Sequence, residues 1–322
     1  MGPALLIIVG LLALVVGAEL LVRGGSGLAT RLGIPPIIVG LTVVAIGTSF
    51  PELAVGIQAA VAGSGGLAVG NIVGTNIVNL LLILGVSAVL SPIAVESRTI
   101  RLDLPSMAAA TALFVVVAWD GRLTRLEGII LLVAGVVYTW VILRSARSEP
   151  EEVQEEYEHE YEVPNGKNWK GILADSAMLV IGLVIIVVGS DWLVDGAVAV
   201  AVSRGVSEAV IGLTIVAIGT SAPELVTTVV STIKGERDIA IGNLLGSSVY
   251  NLLFILGATM ALSPETIGIP RDVLTIDLVV LAVAVAACIP VFRSGQRIER
   301  FEGIILVIAY LAHLAYLLTA RV

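Results

Sequence analysis

Residues 40–53, GLTVVAIGTSFPEL, and residues 212–225, GLTIVAIGTSAPEL, agree at 12 of 14 positions across an offset of 172 residues. The same offset lays GNIVGTNIVNLLLILG (70–85) on GNLLGSSVYNLLFILG (242–257) and carries both copies to Leu-Ser-Pro at 90–92 and 262–264. Upstream it matches VVGAELLV with VVGSDWLV. A chain self-similar at a fixed offset is built from copies of one unit. Duplication kept for stability alone, as in a solenoid, gives no reason for the best-matched stretches to be polar, helix-breaking segments inside apolar runs. Here those segments match best, so the repeat points to a shared site.

The surrounding composition sets the solvent. Apolar residues make up 57% of the 322 positions, 34 more are glycine, and only 14% are charged. A water-soluble globule has too much outside to cover with so little polar material. Runs of about 20 apolar residues, each long enough to cross a bilayer, fall at 3–22, 35–61, 67–90, 104–119, 127–143, 172–193, 207–233, 239–262, 273–292 and 302–320. The first run has no basic segment ahead of it and no small-residue cleavage site, so it reads as a retained helix. The expectation is an all-α polytopic membrane protein with ten transmembrane helices. Residues 1–143 and 172–322 form two five-helix repeats, joined by an acidic linker at 144–171. Five is odd, so the second repeat is threaded the opposite way. Inverted repeats of this kind are a recurring transporter design, with the substrate site at the repeat interface near mid-bilayer.

Placing both termini outside puts 13 of the 18 basic residues on the inner side, among them Arg23, Arg31, Lys234 and Arg297, and leaves 5 outside. That satisfies the positive-inside bias and makes the 144–171 linker cytoplasmic in a cell-membrane protein. The stretch 149–162, EPEEVQEEYEHEYE, carries eight glutamates without the oxygen spacing of an EF-hand; it reads as a solvated, self-repelling linker. A net charge of −8 argues against nucleic-acid binding. The single cysteine, Cys288, excludes an internal disulfide, and two histidines, His159 and His313, are too few for a histidine-rich metal centre. No cofactor and no obligate protein partner is expected, and with no Ser/His pair in the spans, no enzymatic activity.

The repeated motifs carry chemistry. Glu52 and Glu224 each sit mid-run among apolar residues, where a carboxylate costs about 2.5–3.5 kcal/mol on insertion scales and is functional by default. Pro51 lacks an N–H, and its ring meets the carbonyl of Gly47; the helix should break just ahead of the glutamate and free carbonyls around Ala45, Ile46 and Gly47. Thr48 and Ser49 add hydroxyls, with Glu52 one turn beyond Thr48. Such carbonyl, hydroxyl and carboxylate oxygens suit a hard cation. Gly219-Thr220-Ser221-Ala222-Pro223-Glu224 repeats the set. The second motif offers Asn71, Thr75, Asn76 and Asn79 in one half and Asn243, Ser247, Ser248 and Asn251 in the other. Thr75/Asn79 and Ser247/Asn251 each share a helix face. For Asn71, Asn76, Asn243 and Ser248, helix-to-helix glue is an equal alternative. Glu19 and Asp191 match across the repeat and suit an inner-surface or gating role. Asp103 and Asp277 read as solvated helix ends, Cys288 and His313 as ordinary buried or interfacial side chains.

The paired GTSxPE segments, each followed by GNxxG(T/S)xxxxN on the next span, resemble the alpha repeats of the sodium/calcium exchanger family, a branch of the cation/calcium exchangers. The likeness covers nearly the whole chain. It implies alternating-access exchange of Na⁺ for Ca²⁺ with spans one and six sliding across the bundle. It also implies an ion cluster at Glu52 and Glu224 (carboxylates), Thr48, Ser49, Thr220 and Ser221 (hydroxyls), Thr75 and Ser247 (further hydroxyls), Asn79 and Asn251 (amides), and Ala45 and Ala217 (backbone carbonyls). Potassium-dependent relatives carry aspartate where this chain has Asn251, so the resemblance is to the potassium-independent type. Proton-coupled relatives show a glutamate soon after their Gly-Asn pair, which Asn71-Ile72 and Asn243-Leu244 do not reproduce. A Ca²⁺/H⁺ antiporter on the same fold is the nearest rival reading, and a channel lined by broken helices the next. The two glutamates supply −2, neutralised by one Ca²⁺. Several Na⁺ could share the same oxygens but not alongside Ca²⁺, because excess positive charge is poorly solvated at low dielectric.

Overall fold

A computed structural model describes residues 2–34, 36–61, 63, 65–145, 169–204 and 217–320. The acidic stretch 149–162, His159 and the first part of the seventh run lie outside the described residues. The helices are α1 (Pro3–Leu32), α2 (Ile37–Val61), α3 (Gly65–Leu90), α4 (Thr99–Val117), α5 (Arg125–Ser145), α6 (Trp169–Ser203), α7 (217–234), α8 (Arg237–Leu262), α9 (Val273–Arg293) and α10 (Arg300–Ala320). Among the described residues nine are long and apolar enough to cross a membrane; α7 is the described end of the remaining span.

The first helix does not stop at residue 22 as its apolar run suggested. It continues to Leu32 because Gly24, Gly25 and Ala29 are buried against neighbours. Gly33, at φ 62, ends it in the left-handed conformation and returns its N–H to Ala29 and Thr30. In the same way α6 outruns its expected 172–193.

Membrane helices gain little from hiding apolar surface from lipid, so close backbone approach and van der Waals packing hold them. Gly10, Gly17 and Gly24 recur every seven residues along α1, and Gly182, Gly189 and Gly196 recur at the same interval along α6. A Cβ added at Gly10 would stand 2.8 Å from the carbonyl oxygen of Gly189, at Gly17 2.8 Å from that of Gly182, and at Gly24 2.6 Å from that of Asp175. Each contact pairs a rising number on α1 with a falling one on α6, so the two equivalent helices run antiparallel along a shared glycine seam. That is the inversion of the repeats seen directly. A second crossing obeys the same symmetry: Gly85 of α3 packs on Gly303 of α10, and Gly257 of α8 packs on Gly128 of α5.

Short antiparallel strand pairs tie the repeats at both ends. β1 (Ile93–Ala94) pairs with β4 (Arg297–Ile298), and β2 (Arg122–Leu123) pairs with β3 (Ile267–Gly268). Each sheet takes one connection from each repeat. Burial separates centre from rim. The most apolar window of α8 is 94% buried, that of α3 78% and that of α2 67%, against 17% for α10 and 28% for α6. The helices carrying the repeated motifs therefore form the centre, and α1 and α6 lie against it as an outer pair.

Asp103 and Asp277 are not solvated helix ends. Both are buried, in the wide first turns Thr99–Asp103 of α4 and Val273–Asp277 of α9. His313 approaches Asp277 at 3.9 Å, so it has a specific neighbour beyond an ordinary interfacial setting. Cys288 is buried.

Candidate cation site

The motif helices do break ahead of Pro51 and Pro223, but the break does not free the Ala45 carbonyl. Both motif helices are interrupted at the serine two residues ahead of the proline: Ser49 has φ −85, ψ 7 and Ser221 φ −86, ψ 5. The Ala45 carbonyl is not freed, since it accepts the Ser49 N–H at 3.3 Å. It nevertheless gathers hydroxyls, with Thr48 Oγ1 and Ser247 Oγ each at 3.4 Å. The carbonyl that Pro223 cannot reach, Gly219 O, accepts the hydroxyl of Ser190 from α6 at 2.7 Å. The equivalent residue of α1 is Ala18, which has no hydroxyl to give.

The interruptions bring the motifs of opposite repeats together. Thr48 Oγ1 donates to Asn243 Oδ1 at 3.1 Å and lies 3.4 Å from Ser247 Oγ. Ser49 Oγ donates to Glu224 Oε1 at 3.4 Å. Asn243 Nδ2 reaches the Glu224 carbonyl at 3.4 Å and Thr228 Oγ1 at 3.0 Å. Glu52 and Glu224 face each other's charge, and Thr75 stands beside Glu52. Thr48, Ser49, Glu52, Asn79, Ser221, Glu224, Ser247 and Asn251 are wholly buried; Thr75 and Thr220 nearly so. Ala217 opens the described part of α7.

Uncommitted oxygens distinguish this cluster from helix glue. Oε2 of Glu224, the hydroxyl of Ser221 and the whole amides of Asn79 and Asn251 make no hydrogen bond, and Glu52, with Thr75 beside it, takes no donor from the other repeat. A buried polar group without a partner costs about 1–3 kcal/mol, so a packed protein does not gather so many for structure alone. A hard cation taking about 6–8 oxygens fits this chemistry.

Two features escaped sequence reading. Asn79 and Asn251 each sit at a wide turn, in the stretches Val78–Ile83 and Asn251–Ile255. One extra residue per turn loosens the helix and re-aims the side chain, a device frequent at functional sites; nothing in periodicity signals it. Asn243, weighed equally as glue, links Thr48 and Ser247 to the Glu224 segment. Asn76 turns back onto its own helix, its Nδ2–H donating to Ile72 O at 2.8 Å, a bond that joins no neighbouring helix. Glu19 lies outside the cluster, paired with Lys234 at 2.6 Å and with Arg23, and Asp191 is exposed on α6.

Two inverted five-helix repeats crossing on a buried, doubled oxygen cluster define a multi-pass membrane transporter. A family model described as sodium/calcium exchanger protein matches residues 2–144 and 176–319, and the chain belongs to that family. It is 38% identical to CaxA of Alkalimonas amylolytica over 95% of this chain and 96% of that one. With the sodium/calcium exchanger MaX1 of Methanosarcina acetivorans it shares 31% identity over 97% of each chain. Its backbone superposes on the solved sodium-calcium exchanger NCX_Mj with a TM-score of 0.85 at 27% identity, covering 98% of both chains. The ten-helix, two-repeat architecture is shared with that structure.

Proposed function

We propose that this protein exchanges Na⁺ for Ca²⁺ across the cell membrane by alternating access, independently of K⁺, through the site between the two repeats. The observation that carries the reading is the pair Glu52 and Glu224, buried together with unpartnered carboxylate, hydroxyl and amide oxygens around them. Glu52 and Glu224 would bridge the ions. Thr48, Ser49, Thr75, Thr220, Ser221 and Ser247 supply hydroxyls, Asn79 and Asn251 amide oxygens, Ala45 and Ala217 carbonyls. One Ca²⁺ neutralises the two carboxylates, and Na⁺ ions sharing the same oxygens exclude it, which is the mutual exclusion an antiporter needs. If more than two Na⁺ move per Ca²⁺, transport carries net charge and responds to membrane potential. Both termini face outward and the linker faces the cytoplasm, following the basic residues.

The test is purified protein in Na⁺-loaded liposomes, diluted into Na⁺-free medium with radiolabelled Ca²⁺, K⁺ varied and a protonophore present. Uptake that requires the Na⁺ gradient and ignores K⁺ supports the reading. Uptake indifferent to internal Na⁺ overturns it in favour of proton exchange or a channel.

A further inference from the structure

Below Glu224, α7 presents a line of hydroxyls that the cation site does not use. Thr227, Thr228, Ser231 and Thr232 follow the glutamate at helical spacing, and all are buried. Thr228 is held by Asn243. The hydroxyls of Thr227, Ser231 and Thr232 make no hydrogen bond, and neither does that of Ser87 on α3, also wholly buried. α3 packs against this stretch of α7, and Ser87 lies in its last turn, near the end that leads into β1. The opposite edge of α7, Val226 and Val230, packs on the aliphatic cluster built by α1 and α6. The equivalents in α2 are Val55, Gly56, Ala59 and Ala60; that half of the molecule has no such line.

Unpartnered buried hydroxyls are disfavoured in a closed core, and lipid supplies no partner for them. They make sense if water or a partly hydrated cation reaches them in another conformation. The line starts at Glu224 and runs toward the end of the bundle bearing the β1–β4 sheet, where Lys234 and Glu19 pair between α7 and α1. We propose that Thr227, Ser231 and Thr232, with Ser87, line the half-path by which the cation passes between the site and the basic-rich face. The path is closed here and becomes wetted when α1 and α6 shift off the Val226/Val230 edge. This rests on the cation-transport reading above, and it makes the two half-paths chemically unequal: hydroxyl-lined on one side, aliphatic on the other.

Single cysteines in a Cys288→Ala background, in proteoliposomes, test it with a membrane-impermeant cationic methanethiosulfonate reagent applied from one side at a time. Glu299→Cys, an exposed position beside β4, reports the basic-rich face. The expected result is that Thr227→Cys and Ser231→Cys react only from the side that labels Glu299→Cys, in at least one of Na⁺, Ca²⁺ or ion-free medium, whereas Ala59→Cys does not. Separately, Ser231→Leu lowers turnover by about tenfold or more, as a bulky apolar constriction in a polar path does, while equilibrium Ca²⁺ binding in detergent is unchanged. Labelling of Ser231→Cys from the opposite side only, or from neither side in any medium while Glu299→Cys reacts, overturns the proposal. So does full turnover in Ser231→Leu. These accessibility readouts do not depend on which ion is the counter-substrate, so loss of Na⁺ coupling would overturn the function while leaving this path testable.

Discussion

The two copies of the GTSxPE motif are nearly identical in sequence and unequal in structure. Around Glu224, Ser49 donates to the carboxylate and Asn243 braces the same segment. Around Glu52, Thr75 of the same repeat stands beside the carboxylate, and Ser221, the equivalent of Ser49, donates to nothing. Some of this inequality is written in the sequence: Asn243 has Thr228 to hold it, whereas Asn71 faces a repeat with Gly56 at that place. The serine difference is not, because both repeats carry Thr-Ser there. Identical residues in different hydrogen-bonding states mark a conformational asymmetry, and a site that serves two faces alternately requires one. The glycine seam between α1 and α6 is the contrasting region, where equivalent residues meet equivalent surroundings.

The largest effects belong to the carboxylates. Glu52→Gln and Glu224→Gln should each reduce Ca²⁺ uptake by about 100-fold or more, corresponding to roughly 3 kcal/mol of lost ion stabilisation. The asymmetry sharpens the expectation. Ser49 donates to Glu224 whereas Ser221 donates to nothing, so removing the charge at Glu52 should raise the melting temperature of the ion-free protein more than removing it at Glu224. Equal shifts, read by thermal unfolding in detergent without Na⁺ or Ca²⁺, would show that the two halves are equivalent in solution.

How much of this was legible beforehand follows from which forces leave a trace in sequence. Membrane residence, helix count and inversion were readable because lipid demands long apolar runs and because five spans per copy force reversal. Glu52 and Glu224 were readable because a mid-span carboxylate is costly. Helix ends were not: Gly24 to Ala29 look like a loop by hydropathy, yet they extend α1 because small residues allow close packing on α6. Asp103 was misjudged because a local reading cannot see that the first turn of α4 packs against α9 and is buried there. The glycine heptads were present in the sequence at intervals of seven, but their meaning depends on knowing that α1 and α6 are partners.

The seam should answer symmetrically where the site does not. Gly17→Leu and Gly189→Leu each force a side chain into the backbone of the facing helix, and both should destabilise by about 3 kcal/mol, the upper range for overpacking. Thermal unfolding should give similar losses for the two. Gly74→Ala, on the central helix α3 but with open space around it, should be nearly silent. A large difference between Gly17 and Gly189 would mean that the seam is not the symmetric frame described.

Next in size is the brace. Asn243 joins Thr48 and Ser247 to the Glu224 segment, whereas Asn71 has an amide nitrogen with no partner. Asn243→Ala should raise the Ca²⁺ concentration for half-maximal uptake by about tenfold, the scale of one to two buried hydrogen bonds. Asn71→Ala should change it by less than about twofold, being a loss of no net bond. Equal effects on Ca²⁺ dependence would mean that both asparagines act on the ions in turn during the cycle.

The smallest effect tests how the outer pair is joined to the site. Ser190 of α6 gives its hydroxyl to Gly219 O, the carbonyl that Pro223 leaves open; Ala18 of α1 offers Gly47 nothing. Ser190→Ala therefore removes a direct tie between α6 and the second motif, worth about 1 kcal/mol. Maximal uptake should change by roughly fivefold on that scale, with little change in equilibrium Ca²⁺ binding. Ala18→Ser places a hydroxyl at the equivalent point. If the two ties are interchangeable, Ala18→Ser should restore uptake in the Ser190→Ala background; if the conformational asymmetry governs, it should not. Restoration would show that the outer pair needs only one such tie, on either repeat, to couple its shift to the opening of the central helices.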